Sequence, residues 1–177
     1  MEKQILDRDD IEKILSRISD KILAKNTDPS SLIIIGIKKR GDVLAKKIAQ
    51  RIESTEKKKI EISAIDITFY RDDVQLKAYK YVLKNEIRFD VSDKNVVLVD
   101  DVINTGRTIR AAIDVIIDSG RPRSIQLAVL MDKGGRELPI QPDYVGKKIN
   151  EDSGLEVLVK LKEVDGEDRI IISDNEK

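Results

Sequence analysis

Two adjacent acidic residues, Asp100 and Asp101, follow a short apolar run at residues 96–99 and precede a small polar loop at residues 104–108. The run VVLV is typical of a strand that is buried on both faces, as in a parallel sheet. Apolar residues recur at helical spacing from Ile109 onward, which predicts a helix directly after the loop. The candidate chemical groups therefore lie where a predicted strand passes through a loop into a predicted helix.

This arrangement suits a sugar phosphate. A helix N-terminus presents unpaired backbone N–H groups and a partial positive charge, which together attract a phosphate. Gly106 lets a phosphate approach the backbone, and Thr105 and Thr108 offer hydroxyl donors. The paired carboxylates can accept hydrogen bonds from vicinal sugar hydroxyls. The alternative, an ordinary buried strand with a polar turn, accounts less well for an acidic pair followed by a TGxT pattern.

A second loop of similar type follows another apolar run, at residues 31–37. It contains the cations Lys39 and Arg40 followed by Gly41, and a predicted helix begins after it. A short run of charges alone is more typical of a solvated surface. Open α/β sheets, however, bind ligands beyond the carboxyl ends of their strands, where both loops are expected. The two loops together favour one shared ligand site.

Composition limits the chemistry that the chain can perform. Its 177 residues are 40% hydrophobic, which is enough for one domain with a substantial core. Lys plus Arg and Asp plus Glu number 33 each, so there is no bulk attraction to nucleic acid or to an anionic membrane. The absence of Cys excludes thiol catalysis, and the absence of His removes the usual neutral-pH base. With no evident signal peptide or membrane-spanning run, we expect a cytoplasmic protein.

Hydrophobic periodicity predicts a doubly wound α/β fold, with a mainly parallel sheet and helices on both faces. The first helix is expected to run from an Asp7 cap to about Asn26. Further strands are predicted at residues 60–70, 124–130, 155–161 and 169–172. Residues 71–91 have no clear period and are interpreted as a flexible loop that closes over the site.

Several stretches resemble type I phosphoribosyltransferases, and the resemblance covers nearly the whole chain as a single domain, residues 1–177. Residues 96–108 are similar to the phosphoribosyl-diphosphate loop of that family. Other stretches resemble its branch of pyrimidine-operon attenuation regulators that also have uracil phosphoribosyltransferase activity. These are ILD at 5–7, GIKKRG at 36–41, DITFYRDD at 66–73, GRP at 120–122 and RELPI at 136–140. The YRDD and RELPI stretches are the ones that narrow the resemblance to this branch.

The resemblance implies a reaction in which uracil and phosphoribosyl diphosphate give uridine monophosphate and diphosphate. Asp100 and Asp101 would hold the ribose hydroxyls, with Mg²⁺ close by, because this ion neutralises diphosphate and takes oxygen ligands largely from substrate and water. Arg71 would contact the diphosphate, unless it only forms an ion pair with a neighbouring aspartate. A homo-oligomer, a dimer or higher, is also implied.

The resemblance further implies a small hood at about residues 131–154 that receives the base. The implied substrate contacts are Lys39, Arg40, Gly41, Val102, Ile103, Asn104, Thr105, Gly106, Arg107, Thr108, Asp132, Lys133, Arg136, Tyr144 and Val145. For Tyr144 two interpretations stay open, stacking of its ring on the base or packing of the ring against the core.

Asn104 separates the substrate classes. In the purine-specific branch, the residue before Thr-Gly is a carboxylate proposed as the base for the purine ring nitrogen. An amide cannot accept that proton at neutral pH, so Asn104 argues for uracil and against hypoxanthine or guanine. A purine phosphoribosyltransferase is the alternative enzyme.

An RNA-binding attenuation regulator that responds to uridine nucleotides is the other alternative. In the resembling branch, the RNA-binding face draws on the first helix and the hood. Where that branch usually has His, His and Arg, this chain has Asp20, Gly135 and Gln141, while Ser16, Arg136 and Lys147 still fit. Because RNA phosphates need a basic face, we predict that sequence-specific RNA binding is weak or absent.

Overall fold

The computed structural model describes residues 2–67, 87, 89–149 and 155–174. Its strands are β1 (Glu2–Leu6), β2 (Leu32–Ile37), β3 (Glu61–Ile65), β4 (Asn95–Ile103), β5 (Ser124–Asp132), β6 (Tyr144–Lys148), β7 (Leu155–Lys160) and β8 (Arg169–Asp174). Five of them form a central parallel sheet in the order β3-β2-β4-β5-β6. The apolar runs of β2 and β4 are almost fully buried, which confirms the predicted parallel core.

Helices cover both faces of this sheet, as predicted. Helices α1 (Arg8–Lys25) and α2 (Arg40–Glu56) share one apolar cluster with the sheet, and α3 (Arg107–Asp118) shares the cluster on the opposite face. The Asp7 side chain accepts a hydrogen bond from the Asp10 N–H at 2.9 Å, so α1 begins with the predicted cap. None of the helices in the described ranges has the length and apolar character needed to cross a membrane.

The register of the parallel sheet brings the two candidate loops together. Gly36 near the end of β2 pairs with Val99 of β4, and Asp100 pairs with Val129 of β5. The carboxyl ends of these strands therefore meet at one edge. The loops after β2 and β4 both lie there, where open α/β sheets bind ligands.

A second, three-stranded antiparallel sheet has the order β1-β8-β7. A short helix, α4 (Lys162–Asp165), connects β7 to β8. The sequence predicted β7 and β8 but not β1, because residues 2–4 of β1 are exposed and lack a buried alternating pattern. Its pairing with β8 depends on contacts between the two ends of the chain.

Two predicted segments differ from the structure or lie partly outside it. The strand expected at residues 60–70 is Glu61–Ile65, and residues 68–70 lie outside the described part. The hood region also contains β6, which was not predicted because its second half is exposed and polar. Most of the flexible loop expected at 71–91, including Arg71, lies outside the described residues.

Candidate active site

Two glycines allow the start of α2 to approach the sheet closely. A Cβ atom on Gly36 would lie 2.4 Å from the Asp42 Cα, and one on Gly41 would lie 2.4 Å from the Val99 carbonyl oxygen. The same Gly41 Cβ would lie 3.2 Å from the Asp100 Cα. A side chain at either glycine would push the helix away. The N-terminus of α2 therefore lies directly beside the acidic pair.

The loop before α2 leaves the first N–H groups of the helix without a side-chain cap. Lys39 occupies the N-cap position and makes no capping hydrogen bond, in contrast to Asp7 at the start of α1. The Lys38 N–H donates to the Ile65 carbonyl at 2.9 Å, which ties the loop to β3, and the Lys38–Lys39 peptide bond is cis. Uncapped N–H groups at a helix start are suited to an anion.

The loop after β4 forms a similar helix start at α3. Gly106 is the N-cap residue with φ at 90°, a left-handed conformation that favours glycine, and α3 also lacks a side-chain cap. The Thr105 hydroxyl accepts a weak hydrogen bond from the Arg107 N–H at 3.3 Å, and Thr108 is exposed. The structure thus places the predicted phosphate loop at an uncapped helix N-terminus.

The acidic pair lies between these two helix starts. Asp100 is only 6% exposed, and Asp101 is half-buried. Asp100 Oδ1 accepts from the Asp101 N–H at 2.9 Å, and Asp101 Oδ1 accepts from the Val102 N–H at 2.8 Å. Burial and repulsion from Asp101 raise the pKa of Asp100 well above its usual value, and burial also raises the pKa of Asp101. Within the described residues, neither carboxylate forms a salt bridge, so the pair favours an incoming donor or cation.

The donor set of the pair fits a magnesium ion that is shared with a substrate. Mg²⁺ prefers oxygen ligands and usually keeps several waters or substrate oxygens. Asp100 and Asp101 supply carboxylate oxygens, but no group of three potential metal ligands occurs in the described parts of the chain. The remaining ligands of such an ion would have to come from substrate and water.

Arg40 has a partner that the sequence did not reveal. Its Nε and Nη2 atoms donate to the two carboxylate oxygens of Asp165 in α4, at 3.0 and 2.8 Å. This bond holds the pKa of Asp165 below its usual value. The positive charge of Arg40 also acts on Asp101, whose pKa it lowers in opposition to burial. The guanidinium thus lies between α4 and the acidic pair.

The segment after β5 is fixed to the phosphate loop by backbone hydrogen bonds. The Lys133 N–H donates to the Ile103 carbonyl at 2.9 Å, and the Glu137 N–H donates to the Thr105 carbonyl at 3.0 Å. The Arg107 Nε also donates to the Glu137 carboxylate at 2.5 Å. The predicted contacts Ile103, Thr105, Arg107 and Lys133 therefore lie together, with some of their polar groups committed to holding the two loops.

The mostly buried Arg136 side chain holds the same segment together through hydrogen bonds. Its guanidinium donates to Asp132 Oδ1 at 2.7 Å, to the Asn104 carbonyl at 2.8 Å and to the Ile140 carbonyl at 2.9 Å. The Arg136 side chain is only 12% exposed. A cavity of about 160 Å³ lies beside it and is lined by Asp132, Gly134, Arg136, Gln141, Lys148 and Ile149. Asp132 and Arg136 thus form part of a small polar cavity connected to Asn104.

Tyr144 lies in the interior, and Val145 is partly buried. Tyr144 is 4% exposed, and its hydroxyl donates to Gln126 Oε1 at 2.5 Å. Gln126 in turn donates to Asn26 Oδ1 at 2.9 Å, so the hydroxyl belongs to a buried polar network. Val145 packs against the apolar cluster on the α3 face. This placement matches the core-packing interpretation of Tyr144, because a ring so buried has no open face for a base.

Known proteins share both the sequence and the fold. The family model described as phosphoribosyl transferase domain matches residues 1–163. The chain is 51% identical over 170 residues to the bifunctional protein PyrR of Pelotomaculum thermopropionicum, covering 96% of this chain and 94% of the relative. It is 46% identical over 175 residues to the bifunctional protein PyrR of Bacillus subtilis, covering 97% of each.

Solved structures show the same fold at low identity. A hypoxanthine phosphoribosyltransferase from Staphylococcus aureus gives a TM-score of 0.72 at 20% identity, covering 98% of this chain and 93% of that one. The hypoxanthine-guanine enzyme of Leishmania tarentolae in complex with GMP gives 0.72 at 16% identity, covering 99% and 98%. The chain therefore belongs to the type I phosphoribosyltransferases, in the group of relatives that carry the name bifunctional protein PyrR.

Proposed function

We propose that the protein transfers a phosphoribosyl group from phosphoribosyl diphosphate to uracil. The observation that carries this proposal is the position of Asp100 and Asp101 between two uncapped helix N-termini, those of α2 and α3. The α3 terminus suits the 5-phosphate and the α2 terminus suits the diphosphate. The carboxylates between them suit the ribose hydroxyls. One substrate with a phosphate at each end of a ribose matches all three features.

In the proposed reaction, the bond from ribose carbon 1 to a diphosphate oxygen breaks, and the diphosphate leaves with the electron pair. A bond from carbon 1 to uracil N1 forms as the N1 proton passes to water. Positive charge develops on the ribose during this exchange. In this proposal the carboxylates of Asp100 and Asp101 stabilise that charge electrostatically, while the loops fix the geometry of the reactants. Bound Mg²⁺, held through Asp100 and Asp101 and through substrate oxygens, would neutralise charge on the departing diphosphate.

Uracil is proposed as the base on two grounds. Asn104 offers no carboxylate to deprotonate a purine ring nitrogen. The YRDD and RELPI stretches resemble the branch whose members also have uracil phosphoribosyltransferase activity.

A steady-state assay with uracil, hypoxanthine, guanine and xanthine, each with phosphoribosyl diphosphate, tests this proposal. Uracil is expected to give the highest kcat/KM. A purine phosphoribosyltransferase is the alternative, and the solved structures of purine enzymes, at 16–20% identity, show the fold alone.

RNA binding is the second candidate function, because the relatives of this chain are named bifunctional. We propose that this activity is weak here. Asp20 is exposed on α1 and would repel phosphates. Gly135 offers no side chain to RNA, and a Cβ atom added there would lie 2.7 Å from Asn104 Oδ1. Arg136, which fits the RNA-binding pattern by sequence, uses its guanidinium for internal hydrogen bonds. A homo-oligomer and a cytoplasmic location stay predictions from sequence.

A further inference from the structure

We propose that Asp165 is a positioning residue that holds the Arg40 side chain in the orientation needed to bind diphosphate. This inference rests on the proposed function, because it assigns a role within the same site. It brings α4, which lies outside the central sheet, into the binding machinery.

The Asp165 carboxylate is itself held in place. Besides the two hydrogen bonds from Arg40, it accepts one from the Leu161 backbone N–H at 2.9 Å. The carboxylate is therefore fixed to the start of α4 before it meets the guanidinium. Two parallel hydrogen bonds to one carboxylate also fix the plane of a guanidinium, which a single contact would not do.

The ion pair between Arg40 and Asp165 leaves the Nη1–Nη2 edge of Arg40 for a ligand. A guanidinium has five N–H donors in a rigid fork, and Asp165 takes the edge formed by Nε and Nη2. The hydrogens on Nη1 and the second hydrogen on Nη2 make no hydrogen bond within the part of the chain that the structure describes. An Nη1–Nη2 edge of this kind binds phosphate oxygens bidentately.

The location of Arg40 indicates which anion that edge would meet. Arg40 directly precedes Gly41, where an added Cβ atom would lie against Val99 and Asp100 of β4. It also begins α2, whose first N–H groups are uncapped. An anion bound at this helix start would therefore lie next to both Arg40 and the acidic pair. In the proposed reaction that anion is the diphosphate.

The competing interpretation is a purely structural tie between α4 and α2. A matched control exists in the same connection between β7 and β8. Glu167 accepts from Lys160 at 2.8 Å and lies 2.9 Å from Arg169 Nη2, but it has no bond to Arg40. Glu167→Gln removes a similar carboxylate from the same segment without touching the α2 loop.

The experiment compares wild type, Asp165→Asn and Glu167→Gln in the full chain. Calorimetry measures the binding of phosphoribosyl diphosphate, inorganic diphosphate and uridine monophosphate, and thermal unfolding checks that each variant is folded. Asp165→Asn is expected to weaken binding of both diphosphate ligands about tenfold, the effect of one lost charged hydrogen bond. Uridine monophosphate has no diphosphate, so its affinity should be unchanged. Glu167→Gln should leave all three affinities at the wild-type value.

Unchanged or tighter binding of the diphosphate ligands to Asp165→Asn would overturn the inference. It would also be overturned if Asp165→Asn bound uridine monophosphate equally weakly, or if Glu167→Gln lost the same affinity for the diphosphate ligands. If Asp165→Asn does not fold, Arg40→Lys keeps the charge but lacks the bidentate edge, and it should show the same selective loss. A wild-type protein that binds no phosphoribosyl diphosphate would overturn the proposed function together with this inference. Wild-type binding that neither variant weakens would overturn the inference alone.

Discussion

Replacing both members of the acidic pair with asparagine should stabilise the folded protein and weaken substrate binding. The change is nearly isosteric, and an amide oxygen can still accept the hydrogen bonds that Asp100 and Asp101 accept from the Asp101 and Val102 N–H groups. The local backbone should therefore keep its conformation. What the double variant loses is two carboxyl groups that can ionise, one buried and one half-buried.

The direction of the stability change follows from the pKa values. The pKa of Asp100 is raised well above its usual 3.8 in the folded protein. Between pH 3.8 and the raised pKa, the folded state therefore binds more protons than the unfolded state. Stability is then highest below the usual value and falls as the pH rises through the raised pKa. As the pH rises toward and through the raised pKa, the wild type carries the cost of ionising a buried carboxyl, about 1.4 kcal/mol for every tenfold weakening of its acidity. Asparagine removes this cost.

A domain of this size gains about 2–4 °C in Tm for each kcal/mol. We therefore expect Asp100→Asn with Asp101→Asn to melt several degrees higher than the wild type at pH 7. The gap should shrink toward pH 4, where the wild-type carboxylates become protonated. Thermal unfolding followed by circular dichroism from pH 4 to pH 8 measures this difference. A matched control is Asp20→Asn, which removes an exposed charge on α1.

Binding should change in the opposite direction. A hydrogen bond to a charged group contributes about 1.5–3 kcal/mol, so the double variant should bind phosphoribosyl diphosphate at least tenfold more weakly. Calorimetry at pH 7 with Mg²⁺ measures this affinity. Wild-type affinity in the double variant, or a lower Tm at pH 7, would refute the assignment of these carboxylates as buried ligands for the ribose.

Two further predictions address the diphosphate loop and RNA. Gly41→Ala would place a Cβ atom 2.4 Å from the Val99 carbonyl oxygen. We therefore expect urea denaturation to show a loss of about 1–3 kcal/mol in stability, and we expect weaker diphosphate binding. A variant with the wild-type denaturation midpoint and the wild-type affinity would contradict the close approach. In a filter-binding titration with pyrimidine-operon leader RNA and uridine monophosphate at physiological salt, we expect weak binding. A preference of about a hundredfold over scrambled RNA would show that the substitutions at Asp20, Gly135 and Gln141 matter less than argued.

The central part of the site could be predicted from the sequence because its signals are local. The apolar run before Asp100, the glycine at position 106 and the helical spacing after it all lie close together in the chain. Their order predicts a strand, a loop and a helix, and the structure contains all three. The strand was expected to end at the acidic pair, but β4 continues through both acids to Ile103. The Asp7 cap of α1 was predictable for the same reason.

Partners that are distant in the chain could not be predicted in this way. Arg40 and Asp165 are 125 residues apart, and nothing near either residue indicates the other. The burial of Tyr144 depends on Gln126 and Asn26, which come from other elements of the fold. Such contacts are set by how elements pack, so only the folded structure distinguishes a core tyrosine from one that stacks on a ligand.

The relative turnover of uracil and purines tests the central claim most directly. The measurement is kcat/KM for uracil, hypoxanthine, guanine and xanthine with wild-type protein, saturating phosphoribosyl diphosphate and Mg²⁺, following formation of each nucleotide. The expected result is uridine monophosphate as the main product, with purine turnover at least about tenfold lower, since Asn104 cannot act as the base for a purine nitrogen. Faster turnover of any purine than of uracil would contradict the proposed function.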